Sequence, residues 1–255
     1  MSAKPWKWSC ENMVNKTQDV YIYGAGLTGI AIAEHIREKF GHQYEVKGFV
    51  DDKKTAHDYP VPIFHGGRSK LYELKKQKGL VHVVLGFPYP VPERLQTGLE
   101  LLAEEFEFPS FYDPILKDRY GINIGRGVIV HPDAGINPSV TLRDFVGINE
   151  KCTIEASYID EGVIITPGVF VGSGTSIGRG TLVRVGTKIM HGVKIGEYCD
   201  IGEDALIKDG ADIGRGTTVG SRVTVKEGIN VGNNCILTAN NLVVAENLND
   251  GTSWR

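Results

Sequence analysis

Residues 171–213 read VGSGTSIGRGTLVRVGTKIMHGVKIGEYCDIGEDALIKDGADI, and every sixth one is aliphatic: Val171, Ile177, Val183, Ile189, Ile195, Ile201, Ile207 and Ile213. The series continues through Val219, Val225, Val231 and Leu237 to Val243. A period of six is neither the roughly 3.6 of a helix nor the alternation of an ordinary strand. It is the hexapeptide repeat of a parallel β-helix.

Each repeat supports that reading internally. If the aliphatic residue is position i, position i+4 also turns inward at a tighter place and is small or modest in size: Thr175, Thr181, Thr187, Val193, Cys199, Ala205, Ala211, Thr217, Val223, Ile229 and Cys235. Position i+1 is often glycine, as at Gly172, Gly178, Gly196, Gly202, Gly214, Gly220 and Gly232, which fits a backbone corner beside the strand. Upstream, the same period holds Ile124, Val130, Ile136, Leu142, Ile148 and Ile154; the register then slips by one to Ile159, and Ile165 rejoins the main series. The slip near Ser157 and Tyr158 predicts a local irregularity or small loop. With three faces per turn, the twenty-one aliphatic positions make about seven coils. Cys152, Cys199 and Cys235 all fall at i+4, where a free thiol serves as a small hydrophobe, so their spacing indicates neither a metal site nor a nucleophile.

The whole chain sets outer bounds. Its 255 residues suit one large domain or two smaller ones, and 41% hydrophobic with 23% charged residues describes a globular protein. A net charge of -3 gives no field for a polyanion, which argues against a nucleic-acid partner. No apolar run approaches the roughly 18 residues of a membrane span, and the first twenty residues lack a signal-peptide core; a cytoplasmic location without a membrane partner is expected. Residues 1–18 show no periodicity and read as an amino-terminal tail, in which Trp6 and Trp8 pack on a neighbour or hang loose and Cys10 is uninformative.

Residues 19–115 carry an α/β pattern. Val20-Tyr21-Ile22-Tyr23 reads as a buried strand, and Gly24-Ala25-Gly26-Leu27-Thr28-Gly29 leads into a helix to about Phe40 with Ile32 and Ile36 on one face. A strand from Val46 to Val50 ends in Asp51-Asp52. Helices around Ser69–Gln77 and Pro92–Glu105, a strand Val81–Leu85, and a last strand over Phe108–Tyr112 complete a small parallel sheet of Rossmann-like type. Gly24, Gly26 and Gly29 spell G-x-G-x-x-G between strand and helix, a turn whose backbone can approach a phosphate at a helix amino terminus. On spacing alone a nicotinamide dinucleotide comes first, because an acidic residue ends the second strand. A full dinucleotide fold needs two mononucleotide halves, however, and about 95 residues leave room for one. A nucleotide-sugar fits the space better, and a turn kept only for close strand–helix packing stays open beside it.

The two parts together resemble a known family. A short domain opening YIYGAGLTG and continuing to GFVDD, then the repeats with Ile189-Met190-His191-Gly192-Val193-Lys194-Ile195-Gly196-Glu197, is similar to the hexapeptide-repeat sugar acyltransferases. These include the UDP-4-amino-sugar N-acetyltransferases of bacillosamine synthesis, the perosamine N-acetyltransferases and the sialic acid O-acetyltransferases. The resemblance implies a left-handed β-helix over residues 120–246, a tail over 247–255, a homotrimer, and acetyl-CoA as co-substrate with no metal. It further implies an active site between subunits and a nucleotide-sugar held at Gly24, Ala25, Gly26, Gly29, Asp51 and Asp52. His191 falls at the family's catalytic histidine, which would take a proton from a sugar amine, or from a hydroxyl in an O-acetyltransferase. At i+2 of its repeat His191 should point outward, so it is either chemical or merely solvated.

Two departures stand out. The family commonly has Glu or Asp after the histidine, where this chain has Gly192, and it keeps a glycine where Asp209 lies one coil, 18 residues, beyond His191. Asp209 either orients His191 or marks a site that has lost transfer, which would leave a non-catalytic nucleotide-sugar-binding trimer. Arg184 is a candidate for a substrate carboxylate or phosphate, and Lys194 and Gly210 for contacts with CoA. His131 reads as a corner or interface residue, and His35, His42, His57, His65 and His82 show no ligand spacing. The carboxyl end lacks the small-residue loop that many such transferases lay along CoA, and Trp254 is a candidate to stack on adenine or cover the last coil.

Overall fold

The computed structural model describes residues 17–53, 60–238 and 243–254. Trp6, Trp8, Cys10 and His57 lie outside the described residues. Among those described, the amino-terminal part forms a four-stranded parallel sheet of β1 (Gln18–Tyr23), β2 (Tyr44–Asp51), β3 (Ile63–His65) and β4 (His82–Leu85), in the order β3-β2-β1-β4.

Alternation along β1 decides the layers. Val20 and Ile22 face α1 (Leu27–Phe40), packing with Ala33, Ile36, Phe40 and Phe49. Tyr21 faces the other way, into a cluster with Leu71 and Leu74 of α2 (Gly67–Lys78) and Leu95 and Leu101 of α3 (Val91–Ala103). Both clusters reach into the repeat domain: Phe145 joins the second, and Ile129 packs on the first. The three-residue edge strand β3 was too short to announce itself. The expected strand over Phe108–Tyr112 does not join the sheet. Glu107 pairs beside β4, whereas Phe111 donates its N–H to Val128 O and receives one from Val130, which ties the connection to the first coil.

The repeats build a left-handed parallel β-helix of about seven coils, its two-residue strands stacked in three sheets of seven, seven and eight. One sheet pairs Ile154, Val171, Ile189, Ile207 and Val225 in direct register, so the aliphatic residues of successive coils stack into one continuous core. Each fully buried Val or Ile contributes about 1.5–3 kcal/mol relative to exposure, which is why a strict period is kept. The slip at Ile154 to Ile159 is a corner shortened by one residue rather than a loop, with Ser157 buried and its hydroxyl donating to Gly172 O at 3.1 Å. At the far end the register moves the other way: Val244, not Val243, stacks on Val225. Ser253–Trp254, read from sequence as part of a tail, pairs with Ile236–Leu237 as a further rung.

The glycines divide into two roles that the sequence reading had merged. From Gly162 to Asn234 every sixth residue has a positive φ, between 53° and 75°, and these residues occupy i+3, not i+1. The i+1 glycines serve coil-on-coil approach instead: a Cβ on Gly202 would lie 2.5 Å from the Gly220 backbone, and one on Gly178 would lie 2.6 Å from Gly196. The inward threonines satisfy themselves on the next coil, Thr175, Thr181, Thr187 and Thr217 donating to carbonyls at 2.8–2.9 Å. Cys199 and Cys235 take the same place with Sγ 3.2 Å from the equivalent carbonyls. Burial pushes the Cys199 thiol up to about 11, away from nucleophilic reactivity.

Candidate active site

The corner after Lys188–Ile189 carries His191 outward, its side chain half exposed. The ring lies back over the preceding coil. It meets Phe170 edge-on at 6.2 Å, and a Cβ on Gly172 would come within 2.9 Å of Nδ1, so the glycine leaves the room the imidazole occupies.

Residues 18 apart form a column at this corner: Glu155, Ser173, His191 and Asp209. The Ser173 N–H donates to His191 Nδ1 and to Glu155 Oε2, each at 3.1 Å, and the Ser173 hydroxyl donates to Glu155 Oε2 at 2.7 Å. Glu155 Oε2 lies 3.6 Å from His191 Nδ1. Those two Ser173 bonds, with the neighbouring imidazole, hold the Glu155 carboxyl below the usual carboxylate range. It is therefore ionised at neutral pH, and its stabilising contribution is lost only as pH falls through that lowered value.

Of the two readings of Asp209, the geometry bears on the one in which it orients the His191 ring. Asp209 Oδ1 accepts the backbone N–H of His191 at 2.9 Å and makes no bond to the ring. Asn233 does the same for the Arg215 N–H at 2.9 Å, so an amide oxygen suffices at this position of the repeat. We expect Asp209→Asn to keep turnover within about threefold of the parent; a collapse in kcat would show that the charge acts on the ring. Gly210 donates its N–H to His191 O at 2.9 Å and is not free to meet a thioester. The Asp209 N–H, by contrast, has no acceptor among the described residues. Gly192 has φ +65° and open space around an added Cβ, being one of the left-handed residues that recur at every sixth position from Gly162 to Asn234.

Arg184 sits at a different corner, with Nε and Nη2 bonded to the Asp200 carboxylate at 2.7 and 2.8 Å. Lys194 is exposed on a strand one repeat beyond His191.

In the amino-terminal domain, the glycine turn joins β1 to α1. Asp51 Oδ2 accepts the Ala25 N–H at 2.8 Å while Oδ1 accepts that of Lys53, so this carboxylate clamps the turn to the end of β2. Asp52 Oδ2 accepts from the Tyr23 hydroxyl at 2.8 Å; burial, reinforced by this bond, pushes Tyr23 up to about 12. Gly29 is forced by packing, since a Cβ there would lie 2.1 Å from Gly24 O. Gly26 is not: its φ is -81° and nothing lies within 4 Å of an added Cβ. α1 starts at Gly26 without a side-chain cap or a first-turn acid, leaving amino-terminal N–H groups for an anion.

Sequence reasoning missed Glu155, although stepping back two coils from His191 leads to it. It also missed that His35 of α1 stacks on His131 of the first coils, with ring centroids 6.3 Å apart and 15° between planes. Among the described residues no group of His, Cys, Asp or Glu is placed to hold a metal, and no helix is long and apolar enough to cross a membrane.

Residues 174–209 match the family described as bacterial transferase hexapeptide (six repeats). No curated protein matches the chain significantly by sequence. Among solved structures, the chain is similar to the acetyltransferase domain of PglB from Neisseria gonorrhoeae FA1090 in complex with acetyl coenzyme A, with 18% identity and a TM-score of 0.56 over 93% of this chain and 96% of that one. It is similar to PerB from Caulobacter crescentus in complex with CoA and GDP-perosamine, with 21% identity and a TM-score of 0.57 over 92% and 93%. WeeI from Acinetobacter baumannii AYE follows at 15% identity and 0.51, over 92% and 96%. At these identities the likeness establishes the fold, an α/β domain followed by a left-handed β-helix.

Proposed function

We propose that the chain is an acetyltransferase that moves an acetyl group from acetyl-CoA to an amino group on a nucleotide-linked sugar, acting as a homotrimer with its site in the cleft between neighbouring β-helices. The observation that carries this reading is the His191 ring, half exposed and backed at Nδ1 by the Glu155 carboxylate 3.6 Å away. Support comes also from the shared fold, since two of the similar structures hold acetyl-CoA, or CoA with GDP-perosamine.

The sugar amine attacks the thioester carbonyl with its lone pair while His191 Nε2 takes the proton. The C–S bond then breaks and the CoA thiolate leaves. For Nε2 to accept, Nδ1 must carry the ring's proton, and a small closure onto Glu155 gives that proton an acceptor. The Ser173 N–H stays on the same carboxylate. The free Asp209 N–H serves the developing oxyanion, a role for the backbone that does not depend on glycine at that position. Lys194 meets the CoA phosphates, and the amino terminus of α1 beside Gly26 takes the diphosphate of the nucleotide.

Glu155→Gln should lower kcat about tenfold to a hundredfold, part of the ~10²–10⁴ that a general base supplies; an unchanged kcat removes Glu155 from the mechanism. A crystal soaked with CoA should show the pantetheine arm between two subunits with its sulfur beside His191, and CoA seated elsewhere would contradict the reading.

One observation favours a second reading, a nucleotide-sugar-binding trimer without transfer. With Nδ1 accepting the Ser173 N–H, a neutral ring carries its proton on Nε2 and cannot act there as a base.

A further inference from the structure

A cavity of about 520 Å³ separates α1 and the segment after β4 from the column of β-helix corners that runs from His131 to Glu203. Neither His191 nor the Gly24-Ala25-Gly26 turn lines it, although Thr28 in the first turn of α1 does.

Arg94, in the second turn of α3, lines this cavity and is 3% exposed. Buried arginines are almost always paired with a carboxylate, because removing the charge from water is costly. Arg94 has no such partner among the described residues: Nη1 donates to Phe145 O at 2.7 Å, and Nε has no acceptor. Burial pulls its guanidinium down to about 10, which still leaves it charged at neutral pH. His35, which also lines the cavity, has Nε2 buried without a partner. Burial first, then His131, holds this imidazole below its usual range, so it is neutral and presents one donor or one acceptor. Arg184 also lines the cavity but is already neutralised by Asp200.

We propose that this interdomain cavity binds a small ligand through one anionic group, a carboxylate or a phosphate, held by Arg94 with His35 Nε2–H as a second donor. An anionic oxygen in the cavity would give the Arg94 charge the partner it lacks among the described residues, and the His35 imidazole lines the same cavity. Glu150 and Glu203, also in the wall and more exposed, repel a second negative group. They select instead hydroxyl or amine donors on the remainder of the ligand.

The test is thermal unfolding and calorimetric titration of the full chain with inorganic phosphate and with acetate. The parent should show a saturable rise in Tm with one of them. Arg94→Met should lose that response, with at least tenfold weaker affinity, yet start from a higher Tm without anion, because its unpaired buried charge is gone. His35→Phe keeps Arg94 and should weaken binding severalfold; it carries the test if Arg94→Met does not fold. Competition separates the two sources of such an anion. Displacement of phosphate by UDP or GDP identifies it as a group of the nucleotide, and simultaneous binding identifies a separate ligand; either supports the site. No saturable response in the parent, or a full response in Arg94→Met or in His35→Phe, overturns it.

Discussion

His191→Ala lowers kcat for acetyl transfer about 10²–10⁴-fold, the contribution of a positioned general base, and leaves the β-helix intact. The second half of that expectation follows from geometry. The ring lies outside the core, against the Phe170 edge, Gly172, the Ser173 N–H and Glu155, while the fold-bearing bonds of the corner are made by the His191 backbone: its N–H to Asp209 Oδ1 and its carbonyl oxygen from the Gly210 N–H. Alanine keeps both. The variant should therefore unfold at nearly the parent's temperature and bind the nucleotide-sugar with little change, so that the loss appears in kcat and not in KM. A variant that retains most of its kcat would place the base elsewhere.

The second large effect is expected at the glycine turn, where two substitutions should part company. Gly29→Ala sets a Cβ 2.1 Å from Gly24 O, a backbone contact that no side-chain movement relieves. α1 must then lift from β1, at a cost of about 1–3 kcal/mol or more, seen as a lower unfolding temperature. Gly26→Ala meets nothing within 4 Å of its new methyl group and needs no unusual φ, so stability should hold. If a diphosphate lies on that helix terminus, the methyl stands in its way, and affinity for the nucleotide falls by about tenfold, ~1.4 kcal/mol. Calorimetric titration with UDP and GDP, run beside thermal melts of both variants, checks the pair. Equal affinity in Gly26→Ala and the parent would leave the turn with a packing role alone.

How far the sequence disclosed these features depends on the kind of signal. The β-helix was legible because a core stacked at a fixed period imprints the same residue type on every sixth position, from Ile159 through Leu237. The inward thiols of Cys152, Cys199 and Cys235 followed from the same period. Glycine, by contrast, answers two different demands with one letter. The close approach at Gly202 and the left-handed turn at Gly192 look alike in sequence, and only φ and neighbour distances separate them.

The site was half legible for a related reason. The 18-residue coil brought Asp209 to the column of His191, but not the fact that the bond would go to the backbone N–H rather than the ring. Glu155 lies two coils back in the same column, beyond the first neighbour on either side. Arg94 gave no sign at all, since an arginine in an amphipathic helix reads as a solvent-facing residue until tertiary packing encloses it. The His35–His131 stack likewise exists only because the two domains meet.

The central claim is transfer at His191, and it is tested most directly by release of free CoA thiol in a single turnover. The enzyme is mixed with acetyl-CoA and a panel of UDP-, GDP- and dTDP-linked amino sugars, and each mixture is followed for thiol and for acetylated sugar. The account predicts stoichiometric thiol and an N-acetylated product with at least one member of the panel, both nearly abolished in His191→Ala. Binding of the nucleotides without thiol release from any of them would contradict it and leave the chain a binding trimer.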